Sequence, residues 1–253
     1  MNSRDKDLVS IITPSYKSKR FIQETIDSVM SQSYSNFEML IVDDFSPDGS
    51  ADFIESILPD KRFKLFKLDK NVGAAEARNV ALREAKGQYV AFLDSDDTWE
   101  PSKLMTHINY MKSSDAAFTF SSYNTLFEDG KRTGKVIHSV SKIDFNGYMK
   151  NTIIGCLTVV IDASKVKPFT MPNLKSSHDM ALWGDILKIN YINAHGIPDV
   201  LANYRLVSTS NTAKKGKAAH DVWKVYTEYF KFNYLKSFWF FINYAFNACK
   251  KRI

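Results

Sequence analysis

Short apolar runs alternate with amphipathic stretches along residues 8–93. Leu8–Thr13, Glu38–Val42, Phe63–Leu68 and Gln88–Leu93 are dense in Val, Ile, Leu and Phe, which predicts buried strands. Between them, Arg20–Gln32, Asp48–Leu58 and Ala74–Ala85 carry helical periodicity. In the last of these, Ala77, Ala81 and Ala85 share a face, and Gly87 is expected to end the helix. The β-α-β-α-β-α-β order implies an α/β fold with a mostly parallel central sheet flanked by helices, joined by right-handed crossovers. Such sheets bind ligands at the carboxyl ends of their strands. Beyond residue 93 the pattern predicts a helix at about 101–113 opened by Pro101, and a strand near Ala116–Ser121. A hairpin turn is expected at Glu128–Lys131, a strand at Leu157–Ile161 and a helix at Asp179–Ile189. Residues 217–250 read as two helices broken near Asn233.

Composition refines this outline. With 44% hydrophobic and 13% aromatic residues, the 253-residue chain has material for a real core. No apolar signal region precedes the first strand, and Cys156 and Cys249 lie far apart without metal-ligand spacing. A reducing, cytoplasmic location is expected on both counts. The net charge of +6 is uneven: from Ser210 onward nine Lys/Arg face Asp221 and Glu228, which makes that segment +7 and the rest −1. A basic tail suggests an anionic partner, membrane or nucleic acid. The tail's aromatics form one compact block over Leu235–Phe246 instead of being interleaved along a basic groove, which argues against nucleic acid.

That block is short of the ~20 apolar residues of a membrane span. As a helix it would present Phe238, Phe241, Ile242, Ala245 and Phe246 on one side, with Trp239 and Tyr244 at the interface level. The expectation is a helix lying on the anionic inner face of the cell membrane. The alternative is that this face packs on the rest of the chain or on a second subunit in a homodimer.

The candidate chemistry lies at the predicted strand ends. They read Thr13-Pro14-Ser15-Tyr16, Val42-Asp43-Asp44-Phe45-Ser46 and Leu93-Asp94-Ser95-Asp96-Asp97. Asn71-Val72-Gly73, with Arg78 a few residues on, precedes and opens the third helix. Singly, each has an ordinary structural use, an Asp at a strand end often being a helix cap. Together they put five acids and one Arg around one crevice, where the acids would repel one another without a cation. Asp94 and Asp96 have the i, i+2 spacing that lets two carboxylates approach one ion at an extended strand end, and hard oxygen ligands suit Mn²⁺ or Mg²⁺. Arg78 offers a positive group for a diphosphate, Tyr16 a face for a base, and Asp43 or Asp44 an acceptor for an imide N–H.

As an ordered set, Thr-Pro-x-Tyr, Val-Asp-Asp-x-Ser, Asn-x-Gly-x-x-x-Ala-Arg-Asn and Leu-Asp-Ser-Asp-Asp resemble the family-2 glycosyltransferases of the GT-A fold, over about residues 8–205. The resemblance implies a catalytic domain over 1–210, divided into a nucleotide-binding half (8–100) and an acceptor half (101–210), with a helical appendage over 211–253. It implies an inverting enzyme of bacterial cell-surface polysaccharide synthesis, with a nucleotide-sugar donor (a UDP-sugar favoured), Mn²⁺ or Mg²⁺ as cofactor, and a glycan or lipid-linked acceptor.

By it, Pro14, Tyr16, Asp43, Asp44 and Arg78 hold the nucleotide, with Thr13, Asn71, Gly73 and Ser95 in the same binding set. Asp94 meets the ribose or the metal, and Asp96 ligates the metal. Asp179, in Ser176-Ser177-His178-Asp179-Met180-Ala181-Leu182-Trp183, is the general base, either instead of or as well as capping its helix. His178 departs from the family's usual Glu or Gln, and Val207, in the closing segment Tyr204–Ser210, stands where some relatives carry His. The Gln/Arg-x-x-Arg-Trp pattern of processive synthases is missing, so single-residue addition is expected. No strand is followed by the glycine-rich loop of a nucleotidyltransferase or a dinucleotide enzyme. The remaining rival is a sugar-nucleotide-binding protein of the same fold without turnover.

Overall fold

The computed structural model describes residues 4–207 and 215–250; Ser208–Ser210 of the closing segment, and Lys214, Lys251 and Arg252 of the basic tail, lie outside the described residues. The first half alternates β1 (Asp5–Ser15), α1 (Ile22–Met30), β2 (Phe37–Asp43), α2 (Ser50–Ile57), β3 (Phe63–Lys67), α3 (Ala74–Glu84) and β4 (Gly87–Phe92). Its strands pair in parallel in the order β3-β2-β1-β4. Successive strand residues point to opposite faces. Thus Ile12, Leu40, Val42, Val90 and Phe92 join the alanines of α3 in one core cluster. Val9, Ile11, Met39, Ile41 and Ala91 join α1 and α2 in the other. β2, covered on both sides, is buried at every position.

Gly87 has a different role from the expected helix stop. The helix ends at Glu84, and Ala85 is already extended (φ −67°, ψ 122°). Gly87 opens β4 so close to β1 that a β-carbon would lie 2.6 Å from the Leu8 carbonyl oxygen and 2.7 Å from the Ser10 nitrogen.

The second half contains β5 (Thr98–Trp99), α4 (Lys103–Ser114), β6 (Phe118–Leu126), β7 (Arg132–Ile137), β8 (Lys142–Ile143) and α5 (Phe145–Lys150). β9 (Val160–Asp162), α6 (His178–Asn190), β10 (Ala194–Arg205), α7 (Lys215–Lys224) and α8 (Tyr234–Lys250) follow. Here the mostly parallel expectation needs correcting. β9 is antiparallel to both β4 and β6, β10 is parallel to β6, and β5, β7 and β8 add antiparallel pairs. The sheet is therefore mixed. The expected strand at Leu157–Ile161 begins as a 3₁₀ turn, Cys156–Thr158, before β9.

The C-terminal helices break where the sequence indicates, with Asn233 Oδ1 accepting the Lys236 N–H at 2.9 Å. Val222, Val225, Tyr226 and Phe240 are buried in the same cluster as Trp183 and Met180, so the inner faces of these helices belong to the main core. Phe241 and Ala245 are half-buried rather than outward-facing. The exposed stripe of α8 is Leu235, Phe238, Trp239, Ile242 and Phe246. Among the described residues, no helix is long and apolar enough to cross a membrane.

Candidate active site

The carboxyl ends of β1, β2 and β4 carry most of the candidate groups, and the structure divides the five acids sharply. Asp43 is buried; its Oδ2 accepts the Ser46 N–H at 2.9 Å and its Oδ1 the Ser46 hydroxyl at 2.6 Å. Asp44, also buried, accepts the Val72 N–H at 2.7 Å on Oδ1 and the Gly73 N–H at 2.8 Å on Oδ2. Asn71 completes this clamp by donating Nδ2 to the Asp44 carbonyl at 3.0 Å. Two successive N–H groups converge on one carboxylate because Gly73 sits at φ +89°, a conformation that a β-carbon would strain.

Asp97 accepts the Arg205 N–H at 2.8 Å, and its other oxygen is buried without a hydrogen-bond partner. Burial, then the neighbouring Asp96 and Asp94, push its carboxyl well above the usual range. Three of the five acids are thus built into the scaffold, and mutual repulsion of five carboxylates does not describe the site.

Asp94 and Asp96 are the pair that remains at the crevice. Ser95 lies between them in a turn closed by the Asp97 N–H on the Asp94 carbonyl at 3.1 Å. Burial, and next the charge of Asp94, push the Asp96 carboxyl up to about 6. Among the described residues no other residue donates a hydrogen bond to the Asp96 side chain. An anionic oxygen that is desolvated, beside a second carboxylate and short of donors, is a fitting ligand for a hard divalent cation. No group of three or more His, Cys, Asp or Glu side chains is gathered for a metal among the described residues. Substrate phosphates and water would have to complete the coordination, as is usual for Mg²⁺.

Behind this turn stands Arg205, fully buried at the end of β10. It donates Nε to the Asp96 carbonyl at 2.8 Å, Nη1 to the Glu128 carbonyl at 3.1 Å and Nη2 to Glu24 at 2.6 Å. The sequence marks Arg205 only as the end of a motif; its grip on the acid turn was missed, because the residues it joins are 77 to 181 positions away.

Thr13 and Pro14 are buried in β1, Pro14 opposite Val42, and the Thr13 hydroxyl has no hydrogen-bond partner among the described residues. Tyr16 projects past the strand end at 47% exposure, with the Lys17 ammonium 5.3 Å from its ring centroid. Phe45, at a positive φ of 58°, is 57% exposed at the same edge. It is a second open ring that the sequence reading did not single out.

Arg78 links this edge to α6. Only 5% exposed, it makes a very short ion pair with Asp94 through Nη2, and Nη1 donates to His178 Nε2 at 2.7 Å. With Nε2 accepting, the His178 Nδ1–H points to the Leu174 carbonyl, 3.3 Å away. Burial, and then the Arg78 charge, hold His178 below its ordinary pKa and so neutral. The departure at 178 is thus a contact with Arg78.

Asp179 follows in the first turn of α6. It is not the cap: that position is Ser177, left-handed at φ 55° and without a side-chain cap bond. Asp179 instead lines a cavity of about 200 Å³ with Tyr148, Thr152, Ile154, Asp221 and Val222. The contribution of α7 to this wall was not anticipated; a helical period marks a buried face but not what that face encloses.

The paired acids Asp94 and Asp96 thus stand at the carboxyl edge of a mixed α/β sheet, and Arg78 joins that edge to α6, whose Asp179 lines a small cavity. Residues 10–164 match the family model described as Glycosyl transferase family 2. TuaG of Bacillus subtilis (strain 168), named as a glycosyltransferase of teichuronic acid biosynthesis, is 43% identical over 98% of both chains. WfgD of Escherichia coli, a UDP-Glc:α-D-GlcNAc-diphosphoundecaprenol β-1,3-glucosyltransferase, is 37% identical over 98% of this chain and 96% of its own.

Among solved structures, S. aureus TarS 1–349 in complex with UDP-GlcNAc superposes with a TM-score of 0.70 at 21% identity, covering 86% of this chain and 64% of that one. The mannosyltransferase PcManGT from Pyrobaculum calidifontis, in complex with GDP-Man and Mn²⁺, gives 0.69 at 17% identity, covering 89% and 64%. The chain belongs to glycosyltransferase family 2 and has the GT-A fold of these structures.

Proposed function

We propose that the chain transfers a hexosyl or N-acetylhexosaminyl unit, with inversion, from a UDP-sugar to a hydroxyl of a lipid-linked sugar diphosphate in cell-surface polysaccharide synthesis. The observation that carries this reading is the brace made by Arg78. One buried guanidinium holds both Asp94, at the donor edge, and His178, the residue before Asp179. This link supports a reading in which a donor seated on the acid turn turns its anomeric carbon toward Asp179. The relatives' names support the substrate class: WfgD carries UDP-Glc and a diphosphoundecaprenol acceptor in its name.

In this mechanism Tyr16 and Phe45 flank the base. Asp43 Oδ1 already accepts two hydrogen bonds, and Asp43 Oδ2 and both oxygens of Asp44 accept one each, so a uracil imide N–H would use a second lone pair on one of these last three. Asp96, with Asp94, would hold Mn²⁺ or Mg²⁺. A bound ion would supply charge neutralisation for the departing diphosphate. Asp179 accepts the proton of the acceptor hydroxyl as its oxygen bonds to the anomeric carbon and the bond to the diphosphate oxygen breaks. One displacement needs one carboxylate and no covalent glycosyl-enzyme. Arg78, through Nη1 and Nη2, positions His178 and Asp94. The outward stripe of α8, flanked by Lys231 and Lys236, would rest on the inner face of the cell membrane and bring the enzyme to its acceptor.

The test is a donor panel of UDP-, dTDP- and GDP-sugars with Mn²⁺ and a short-chain N-acetylglucosaminyl alkyl diphosphate. Transfer from a UDP-sugar, abolished by EDTA, is the expected result. Transfer from GDP-sugars alone, or undiminished transfer in EDTA, would overturn the donor or the metal assignment respectively.

A further inference from the structure

The cavity that contains Asp179 adjoins a second, of about 430 Å³, and the two share Ser176 and Asp221 as lining residues. The second is walled by the loop before α6 and by α7. Its cations are Lys175 from the loop and Lys217 and Lys224 from α7, with His220 between the last two. Lys217, His220 and Lys224 stand at i, i+3 and i+7, so one helix face presents all three. None of the three lysines forms an ion pair with another described residue, and all three are exposed. Asp221 and Glu228 lie on the same wall. Asp221, however, is at the boundary with the first cavity, where a carboxylate suits the hydroxyls of a sugar ring.

We infer that this second cavity binds the phosphate or diphosphate through which the acceptor sugar is joined to its carrier, while the sugar itself occupies the first cavity with its hydroxyl at Asp179. The inference rests on the reading of Asp179 as the base. Three ammonium groups, none in an ion pair with the Asp221 or Glu228 carboxylate of the same cavity, line the space where an anion attached to a ring in the first cavity would emerge. Lysine binds phosphate as a point charge, without the planar fork that fixes a carboxylate to arginine. The chain continues from this wall through a π turn, Val225–Tyr229, into α8, whose apolar outward stripe then lies on the carrier's path. Selection of the acceptor by its anion would make α7 a recognition element as well as part of the core.

The experiment compares two water-soluble acceptors that share sugar and alkyl chain, one joined through a diphosphate and one a neutral glycoside, at saturating donor and without vesicles. The wild type should prefer the diphosphate at least tenfold in kcat/KM. In Lys217→Ala/Lys224→Ala that preference should fall toward one, through a higher KM for the diphosphate, while Lys217→Arg/Lys224→Arg retains it. Transfer to the neutral glycoside serves as the measure of folding in each variant.

Equal use of both acceptors by the wild type, or an unchanged preference in the double alanine variant, would overturn the inference and leave glycosyl transfer standing. Failure of the wild type on both acceptors would instead strike the proposed function. A final arm measures binding to vesicles rich in phosphatidylglycerol. If the alanine variant loses vesicle binding but keeps its acceptor preference, these lysines meet lipid headgroups and the inference is wrong.

Discussion

At the proposed donor edge, Asp43, Asp44 and Asp97 each accept a backbone N–H, and Arg205 closes the acid turn from behind. At the proposed acceptor wall, Asp179, Asp221 and Ser176 make no side-chain hydrogen bond to another described residue. The first arrangement fixes carboxylates before any ligand arrives, which reduces the reorganisation needed on binding. The second leaves polar groups available to whatever enters. One region is fixed in advance by the fold, while the other can change its side chains without breaking a hydrogen bond.

The largest test of this contrast is Asp96→Asn, which should abolish turnover and remove the metal dependence of nucleotide binding. The folded carboxyl titrates at about 6, above its ordinary 3.8, so at neutral pH it is ionised in a setting that disfavours the charge. The metal-free variant should therefore melt no lower than wild type, as thermal unfolding in EDTA would show. A large loss of stability would make Asp96 another structural lock.

Next, Asp179→Asn should lower transfer by about 10²–10⁴ while isothermal titration finds donor affinity unchanged. A parallel collapse of donor binding would move Asp179 to the donor side of the comparison. Asp44→Ala removes two charge-assisted hydrogen bonds, each typically worth ~1.5–3 kcal/mol, and should destabilise the fold by roughly 3 kcal/mol in urea titrations. Asp221→Ala, with no such partner, should stay within about 0.5 kcal/mol of wild type. Similar losses from both would erase the distinction between the two regions.

A pH titration separates the halves differently. Lys103 Nζ donates to the Thr158 carbonyl at 3.0 Å and contacts His107 Nε2 at 3.3 Å, while His107 Nδ1 contacts the Thr119 hydroxyl at 2.8 Å. This buried chain supports the 3₁₀ turn Cys156–Thr158. Burial, and secondarily Lys103, lower the His107 pKa well below 6.5. The unfolded chain then binds a proton that the folded chain does not. The contribution is fully present above about pH 6.5 and is lost as pH falls through the folded value. His107→Gln should flatten the decline of the melting temperature below pH 6.5, and an identical decline in both proteins would exclude this histidine as its source. The smallest expected change in stability belongs to Trp239→Ser/Ile242→Ser on the outer stripe of α8. It should leave unfolding within about 0.5 kcal/mol of wild type yet reduce sedimentation with anionic vesicles at low salt. Unaltered sedimentation would argue against membrane contact.

The parallel half of the fold was legible because each strand is a compact apolar run with turn residues beside it. β10 was not, since Gly196, Pro198 and Asp199 interrupt its pattern, and the strand accommodates them with register shifts around Ile197 and Val200. Gly87 was misread because a glycine after a helix looks the same whether it ends the helix or makes room for a neighbouring strand. At the site, the donor acids were legible because each lies beside its own strand. Which of them would be consumed by backbone donors was not, as that depends on loops such as 71–73 folding back. The acceptor wall combines Tyr148, Asp179 and Asp221 from three separate segments, and no spacing in the sequence joins them.

Arg205 has a consequence for recombination. Every lock on the donor edge is upstream of Leu206, because β10 ends with the guanidinium that secures the acid turn. The lysines and Asp221 of the acceptor wall that α7 supplies are all downstream. A chimera joined just after Arg205 would therefore exchange part of the acceptor wall while inheriting the donor apparatus whole. Its seam would need to match where the incoming helices enter the core, at Val222, Val225, Tyr226 and Phe240, and where Tyr229, Phe230 and Phe232 pack against it.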